Sequence, residues 1–223
     1  IRDLVRSRGL GDVYKRQYYG TKACVFLAIK RIRNKRMVLP IYIYGQPVLR
    51  KVAQDIDENY PDLKKLIADM FDTLAESNGI GLAAPQIGRD IRVVVMDLDV
   101  MKDDYPEYAG LRKVFINAHI LAFDKTAPTE IMDEGCLSLP GLTERVERYT
   151  RIKVRYQDED FHVHEEWVEG FLARVMQHEF DHLEGKMFID HLPVLRKQMI
   201  AGKLKAMLKG KFRCNYRTKV AKK

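Results

Sequence analysis

The residue pattern best suited to chemistry in this sequence is His-Glu-x-x-His, which runs from His178 to His182. On a helix, residues four apart lie one turn apart on the same face, so the two imidazoles can bind one metal ion. Glu179 stands beside one histidine and can take the proton of a water molecule at that metal without binding the metal itself. The pattern predicts metal-assisted hydrolysis, although patterns of this length also occur by chance on solvated helices.

A catalytic metal of this kind takes three protein ligands and keeps one position open, so a third ligand must come from elsewhere in the chain. Downstream, a metzincin-type protease would place a histidine six residues after His182, where this chain has Phe188. Upstream, the stretch Glu134–Ser138 places a thiol shortly before Pro140, which is typical of a strand-to-turn junction. Cys136 is the better candidate, and the alternative for it is a small buried hydrophobic residue.

A third pattern is the small-residue stretch Gly79–Gly88, with the sequence GIGLAAPQIG. Its glycines and alanines allow another backbone to approach closely, and Gln86 adds a side-chain amide donor. A glycine-rich phosphate loop is the alternative interpretation. It is disfavoured because the stretch lacks both a following Lys-Ser/Thr and a strand directly before it.

These three stretches together resemble the motifs of the peptide deformylase family, which removes the formyl group from new bacterial and organellar polypeptides. The motifs Gly79–Gln86, Glu134–Ser138 and Gln177–Gly185 occur complete and in the family's order. The resemblance covers about residues 37–192 and implies a hydrolase that acts on nascent N-formylmethionyl peptides and releases formate.

The resemblance also implies roles for individual residues. Three residues are expected to bind one Fe²⁺ ion per chain, for which Zn²⁺, Ni²⁺ or Co²⁺ can substitute: Cys136, His178 and His182. Glu179 is expected to act first as general base and then as general acid. The Gln86 amide and the Leu137 backbone N–H are expected to stabilise the charge that develops on the formyl oxygen.

The substrate site is expected to comprise Ile80, Gly81, Gly135, Phe171 and Arg174. Gly81 would leave room for the substrate backbone to run alongside as an extra strand. Arg174 shares the helix face of His178, where some family members carry an apolar residue in the formylmethionine pocket. Its stem would line that pocket with the guanidinium at the mouth, or the side chain would turn to solvent or pair with an acidic loop.

Regular elements must position these residues. Apolar residues at helical spacing predict one helix over Pro61–Asn78 and a second over Glu169–Leu183, which carries the histidines. Apolar, β-branched runs predict strands at Ile91–Leu98, Val114–Phe123, Arg151–Tyr156 and Phe161–Trp167. The sequence therefore predicts a single α+β domain in which mixed or antiparallel β-sheets pack around a central metal-binding helix.

Charge is unevenly distributed along the chain. The net charge is +8 at pH 7, but residues 1–36 carry +9 and residues 196–223 carry +11, which leaves −12 on residues 37–195. The acidic body argues against specific DNA binding, and no apolar run approaches the roughly 20 residues that a membrane helix needs. Cys24, Cys136 and Cys214 are far apart, as expected in a reducing cytoplasm, and a bacterial cytoplasm is favoured over an organelle.

The two ends are interpreted separately from a catalytic domain at 37–192. Residues 1–36 are expected to be a non-native or disordered basic extension, because Ile1–Gln17 resembles translated sequencing-adapter sequence; an arginine-rich organellar transit peptide is the alternative. Residues 193–223 predict a basic amphipathic helix and a basic, disordered tail. Its apolar stripe is predicted to comprise Leu195, Met199, Leu204 and Leu208. The helix would dock on the ribosome near the exit tunnel, or pack on the body with solvated lysines.

Two other classes of protein share parts of this pattern. A zinc peptidase can use His-Glu-x-x-His, but a thiolate ligand in place of a third His or Glu would be unusual. An inactive metal-binding or ribosome-associated protein is the alternative outside catalysis. Glu179 argues against it, because a structural metal site has no use for an acid beside its ligand.

Overall fold

The computed structural model describes residues 37–221, and the predictions for residues 1–36 lie outside this range. The helices in it are α1 (Leu63–Glu76), α2 (Gly170–Leu183) and α3 (Val194–Leu208). The strands are β1 (Ile41–Tyr42), β2 (Gly81–Ala83), β3 (Val93–Asp97), β4 (Arg112–Phe123), β5 (Thr129–Gly135), β6 (Thr143–Tyr149), β7 (Arg151–Gln157), β8 (Val163–Glu169) and β9 (Thr218–Lys219).

The main sheet has five antiparallel strands in the order β2-β3-β4-β7-β8. β3 is apolar at every position except its last because it is covered on both faces. Val93 and Val95 pack in the same core cluster as α1, whereas Val94 and Met96 pack in the same cluster as α2. A strand between two helices has no polar face, which explains its continuous apolar run. The strand order leaves β2 at the edge of the sheet, in contact with α2.

β5 and β6 form a separate antiparallel hairpin, which was not predicted from the sequence. Pairing ends where Gly135 lies opposite Thr143, and residues 136–142 form the connecting loop. The inward positions of β6 are Glu144, Val146 and Arg148. Two of these three buried residues are charged, so the strand lacks the alternation of apolar and polar residues that would reveal it.

α2 is the predicted metal helix, and its observed start differs from the predicted one by a single residue. It ends before Gly185, whose φ is 66°. A Cβ at residue 185 would lie 2.7 Å from the backbone oxygen of Arg50. Glycine is therefore required in the turn that ends the helix, both for the backbone conformation and for the close approach of the Arg50 peptide.

The predicted fold class is confirmed. α2 contacts β2, β3, β4, β7 and β8 of the main sheet as well as β6 of the hairpin, so it is the central helix of the α+β arrangement. Nearly all strand pairs are antiparallel, and β1 and β9 form a parallel pair. Within residues 37–221, the three helices lack the combination of length and apolar character needed to cross a bilayer.

The chain beyond α3 returns to the body of the protein. β9 pairs with β1, with Ile41 opposite Thr218, and the Tyr216 hydroxyl donates a hydrogen bond of 2.7 Å to the Leu137 carbonyl. The prediction of a disordered end is therefore wrong for residues 209–221. Composition alone suggested disorder, whereas pairing with a distant strand orders this segment.

α3 packs on the body through a different face from the predicted one. Ile200 and Met207 are buried, whereas Leu195 and Met199 of the predicted stripe are 68% and 63% exposed. Leu208 of the predicted stripe is also exposed, at 44%, whereas Leu204 packs against the core. The predicted stripe is therefore wrong at three of its four positions, because the buried face of this helix carries Ile200, Leu204 and Met207.

Candidate active site

Three potential metal ligands meet between α2 and the hairpin loop. The Cys136 sulfur and one nitrogen each of His178 and His182 all lie within 4.8 Å of one another. Cys136 Sγ is 3.3 Å from His182 Nε2, and the two imidazole ring centres are 5.3 Å apart. The helix turn joins the two histidines, and the end of β5 brings the cysteine to them. One thiol and two imidazoles suit zinc and the divalent ions of iron, nickel or cobalt.

The charges around Cys136 favour its thiolate. Burial raises the pKa of the thiol, but the charges of and hydrogen bonds to His182 and His178 outweigh burial and lower the pKa to about 5. Burial lowers the pKa of His178, yet hydrogen bonds with Cys136 and Glu134 hold it well above the ordinary value. The thiolate is the form of Cys136 that binds a metal, and binding of a divalent cation would release the proton that His178 holds. The donor set therefore fits a metal ion.

Glu134 orients one of the two histidines. Its Oε2 lies 2.9 Å from His178 Nδ1, so Nε2 is the ring nitrogen left for a metal. Burial raises the pKa of Glu134, but hydrogen bonds from His178 and Arg148 outweigh burial and lower it to about 2. The carboxylate is therefore ionised at neutral pH, and it fixes the tautomer and the orientation of the imidazole.

Two buried arginines hold Glu134 in turn. Arg148 donates from Nε to Oε1 and from Nη2 to Oε2, both at 3.0 Å, and its Nη1 donates to Asp181 of α2 at 2.6 Å. Arg174 donates to Oε1 at 2.8 Å and to two backbone carbonyls of the hairpin. The prediction that the Arg174 guanidinium lies at the pocket mouth is wrong, because the residue is buried beneath the hairpin and pairs with an acid.

Glu179 is buried beside these ligands, and its environment suits proton transfer. Burial raises its pKa to about 6 even though His178 and His182 act in the opposite direction. Its Oε2 atom has no hydrogen-bond partner in the described part of the chain. A Cβ at residue 81 would lie 2.4 Å from its Oε1, so the glycine in β2 makes room for this carboxylate. A carboxyl group with a pKa near neutrality can both accept and return a proton.

Gln86 is buried with its amide held in one orientation. Its Oε1 accepts the backbone N–H of Ala83 at 2.8 Å. Its Nε2 is therefore turned toward the site, 3.5 Å from Cys136 Sγ and 3.4 Å from Ser138 Oγ. A donor fixed before substrate arrives needs no reorganisation to meet a developing negative charge.

A cavity of about 510 Å³ opens onto these groups. Its lining includes the predicted residues Ile80, Gly81, Gln86, Gly135, Cys136, Leu137, Phe171, Arg174, His178 and Glu179. His182, the remaining predicted residue, is buried behind the lining. Arg213 to Tyr216 of the C-terminal segment also line the cavity, and nothing in the sequence pattern indicated this. The structure thus gathers the predicted site residues in one place and adds a wall that was not predicted.

The site combines two histidines on one helix, a thiolate and a buried acid, and it lies at an open cavity. This arrangement is that of a metal-dependent hydrolase. A sequence model of the family described as polypeptide deformylase matches residues 38–198. A peptide deformylase of Cytophaga hutchinsonii is 43% identical over 183 residues, which cover 82% of this chain and 97% of that protein. One of Flavobacterium psychrophilum is 41% identical over 194 residues, which cover 84% and 99%.

Solved structures of peptide deformylases also match this chain. The crystal structure of peptide deformylase from Thermus thermophilus matches with a TM-score of 0.68 at 38% identity, covering 78% of this chain and 99% of that chain. That of a peptide deformylase from Legionella pneumophila matches with a TM-score of 0.65 at 34% identity, covering 77% and 96%. The chain belongs to the peptide deformylase family, a family of metalloenzymes. It is a hydrolase that removes the N-formyl group from the N-terminal formylmethionine of newly synthesised polypeptides.

Proposed function

We propose that Cys136, His178 and His182 hold one divalent metal ion and that Glu179 carries the proton during deformylation. The observation that carries this proposal is the meeting of three ligand atoms within 4.8 Å at a cavity that Glu179 also lines. When bound, such a metal polarises a carbonyl oxygen and makes hydroxide available from water near neutral pH.

Glu179 takes a proton from water as the new C–O bond forms at the formyl carbon. The resulting carboxylic acid then gives that proton to the amine nitrogen as the C–N bond breaks, so the products are formate and a free N-terminus. A pKa of about 6 leaves the group mainly ionised at pH 7, ready to accept the proton, yet acidic enough to donate it again.

Two donors of the chain stabilise the negative charge that develops on the formyl oxygen: the Gln86 side-chain amide and the Leu137 backbone N–H. Support comes from the fixed orientation of the Gln86 amide and from the position of Leu137 directly after Cys136. Each such donor contributes on the order of 3 kcal/mol to the lowering of the barrier.

The substrate backbone passes between β2 and the end of β5. β2 is an edge strand and carries Gly81, while Gly135 ends β5 on the cavity wall. An edge strand can pair with an extended peptide through its main chain, which makes binding largely independent of peptide sequence. Ile80, Phe171 and the stem of Arg174 then border the formylmethionine side chain.

We expect Fe²⁺ to be the working metal, as the family resemblance indicates. Protein purified without oxygen should contain about one iron atom per site, and replacement of iron by zinc should reduce formate release from formyl-Met-Ala-Ser. The ligand types accept either ion, so the comparison must be made at equal occupancy, measured by metal analysis. Equal rates for the two metal forms would contradict the assignment of iron.

We also propose that the enzyme works in the bacterial cytoplasm and docks on the ribosome through the basic C-terminal region. Lys203, Lys205, Lys209 and Lys211 are all exposed, and the helix contacts the body through other residues. Ribosomal RNA phosphates attract such cations, whereas the −12 charge of residues 37–195 is repelled by them. The bacterial origin of the relatives supports the location.

Changing Lys203, Lys205, Lys209 and Lys211 together to Gln should weaken co-sedimentation with ribosomes, because four phosphate contacts are lost. The slope of log affinity against log salt should fall by about 0.7–0.9 per contact. A matched variant changes Lys64, Lys113, Lys125 and Lys186, which are exposed on the acidic body, to Gln. Hydrolysis of a free formyl peptide should stay the same in both variants. Equal loss of ribosome binding in the two would contradict docking through the tail.

A further inference from the structure

The C-terminal segment is held against the catalytic body by contacts directly after Tyr216. The Ile41 and Ile43 backbone N–H groups donate to the carbonyls of Arg217 and Lys219 at 2.8 and 3.0 Å. The Arg217 side chain donates to the Val38 carbonyl at 2.9 Å. Backbone pairing of this kind gives the segment a defined position relative to β1.

The same segment reaches the catalytic centre. The Tyr216 hydroxyl donates at 2.7 Å to the carbonyl of Leu137, the residue directly after Cys136. Burial raises the pKa of the Tyr216 hydroxyl, so it stays a protonated donor at neutral pH. Arg213 and Asn215 line the same cavity as Glu179. The segment from Arg213 to Tyr216, here called the tail wall, is therefore one side of the substrate cleft.

Arg213 carries the charge that a bound peptide would meet on the tail wall. It is exposed, and within residues 37–221 no carboxylate lies within ion-pairing distance of its guanidinium. Of the other charged groups of the lining, His178 and Glu179 belong to the catalytic centre, and Asp133 is exposed. Arg174 and Glu134 are buried and bind each other, and Asp133 lies opposite Arg145 in the hairpin, which partly offsets its charge.

We propose that Arg213 is a specificity-determining residue, which favours substrates with an acidic side chain in the residues that follow formylmethionine. The inference rests on the substrate path proposed above, because a peptide lying between β2 and β5 continues past the tail wall. Main-chain pairing supplies binding that is common to all substrates, and Arg213 adds a preference on top of it. An exposed charge pair of this kind changes affinity by about 2–5-fold.

The preference can be measured with C-terminally amidated formyl-Met peptides that carry Asp, Asn or Lys at the second, third or fourth position. Amidation removes the terminal carboxylate, so any preference reports the side chain. At one position at least, kcat/KM of the wild type should be about 2–5-fold higher for Asp than for Asn. Arg213→Glu should reverse this order, and Arg213→Lys should keep it. The preference should shrink at high salt.

Lys125→Glu is the matched control, because it makes the same change of charge at an exposed residue away from the cleft. It should leave the Asp-to-Asn ratio unchanged. An unchanged ratio in Arg213→Glu, or an equal shift in both variants, would overturn the proposal. The Asn peptides give a reference rate for each variant. If the proposed roles of Glu179 or the metal ligands were wrong, the rates on all peptides would be affected alike, whereas a wrong role for Arg213 would show only in the Asp-to-Asn ratio.

Discussion

Replacing Glu179 with Ala is expected to lower formate release from a formyl-Met peptide by about 10²–10⁴-fold while the metal content stays at the wild-type level. The substitution removes the proton carrier but none of the three ligand atoms. On the same sample, formate release measures the loss of activity and metal analysis measures the metal content. Glu179→Gln is the matched control, because it keeps the shape that packs against Gly81 and removes only the charge.

Both variants should therefore be nearly equally inactive. An alanine variant that kept most of its activity would refute the acid–base role. A glutamine variant that kept most of its activity would show that only the packing of this side chain against β2 matters.

The pKa of Glu179 also sets an acidic limit on activity. Because burial raises this pKa to about 6, the carboxylate that accepts a proton is lost as pH falls through 6. The rate of the wild type should thus decline about tenfold per pH unit below that value and stay nearly level just above it. Rates should be compared at constant metal content, because protonation of the ligands also releases metal.

The sequence indicated the parts of the fold whose residues follow a simple period. α1 and α2 have apolar residues at helical spacing, and β3 is a continuous apolar run, so these elements were predicted close to their observed bounds. The hairpin was missed because its inward positions hold Glu144 and Arg148. Burial of charged side chains depends on partners that are distant in sequence, and local patterns do not reveal such partners.

The candidate site shows the same division. Its ligands and acid were recognisable because metal chemistry demands particular residue types at particular spacings. The residues that hold those ligands in position could not be recognised from the sequence. Arg148 and Arg174 converge on Glu134 from β6 and α2, and the tail wall reaches Leu137 from the far end of the chain. Each of these contacts exists only after the sheet, the hairpin and α2 have packed together.

Cys136→Ser should lose both metal and activity. A thiol whose pKa is about 5 is a thiolate at neutral pH, whereas a serine hydroxyl stays protonated and is a weak ligand for these metals. Loss of groups that merely orient ligands typically lowers metal affinity by 10–100-fold, so loss of a ligand should lower it by at least about 100-fold. Metal analysis after dialysis and formate release measure the two effects. Cys24→Ser, which lies in none of the three motifs, is the chemically matched control.

Thermal unfolding separates loss of the ligand from damage to the fold. A metal that binds only the folded chain stabilises it by about 2.7 kcal/mol at a concentration one hundred times its Kd. A chelator should therefore lower the Tm of the wild type and of Cys24→Ser but leave the Tm of Cys136→Ser unchanged, because that variant has no bound metal to lose. If Cys136→Ser responded to the chelator as the wild type does, the thiolate would not be a ligand, and the two histidines would need a different third partner.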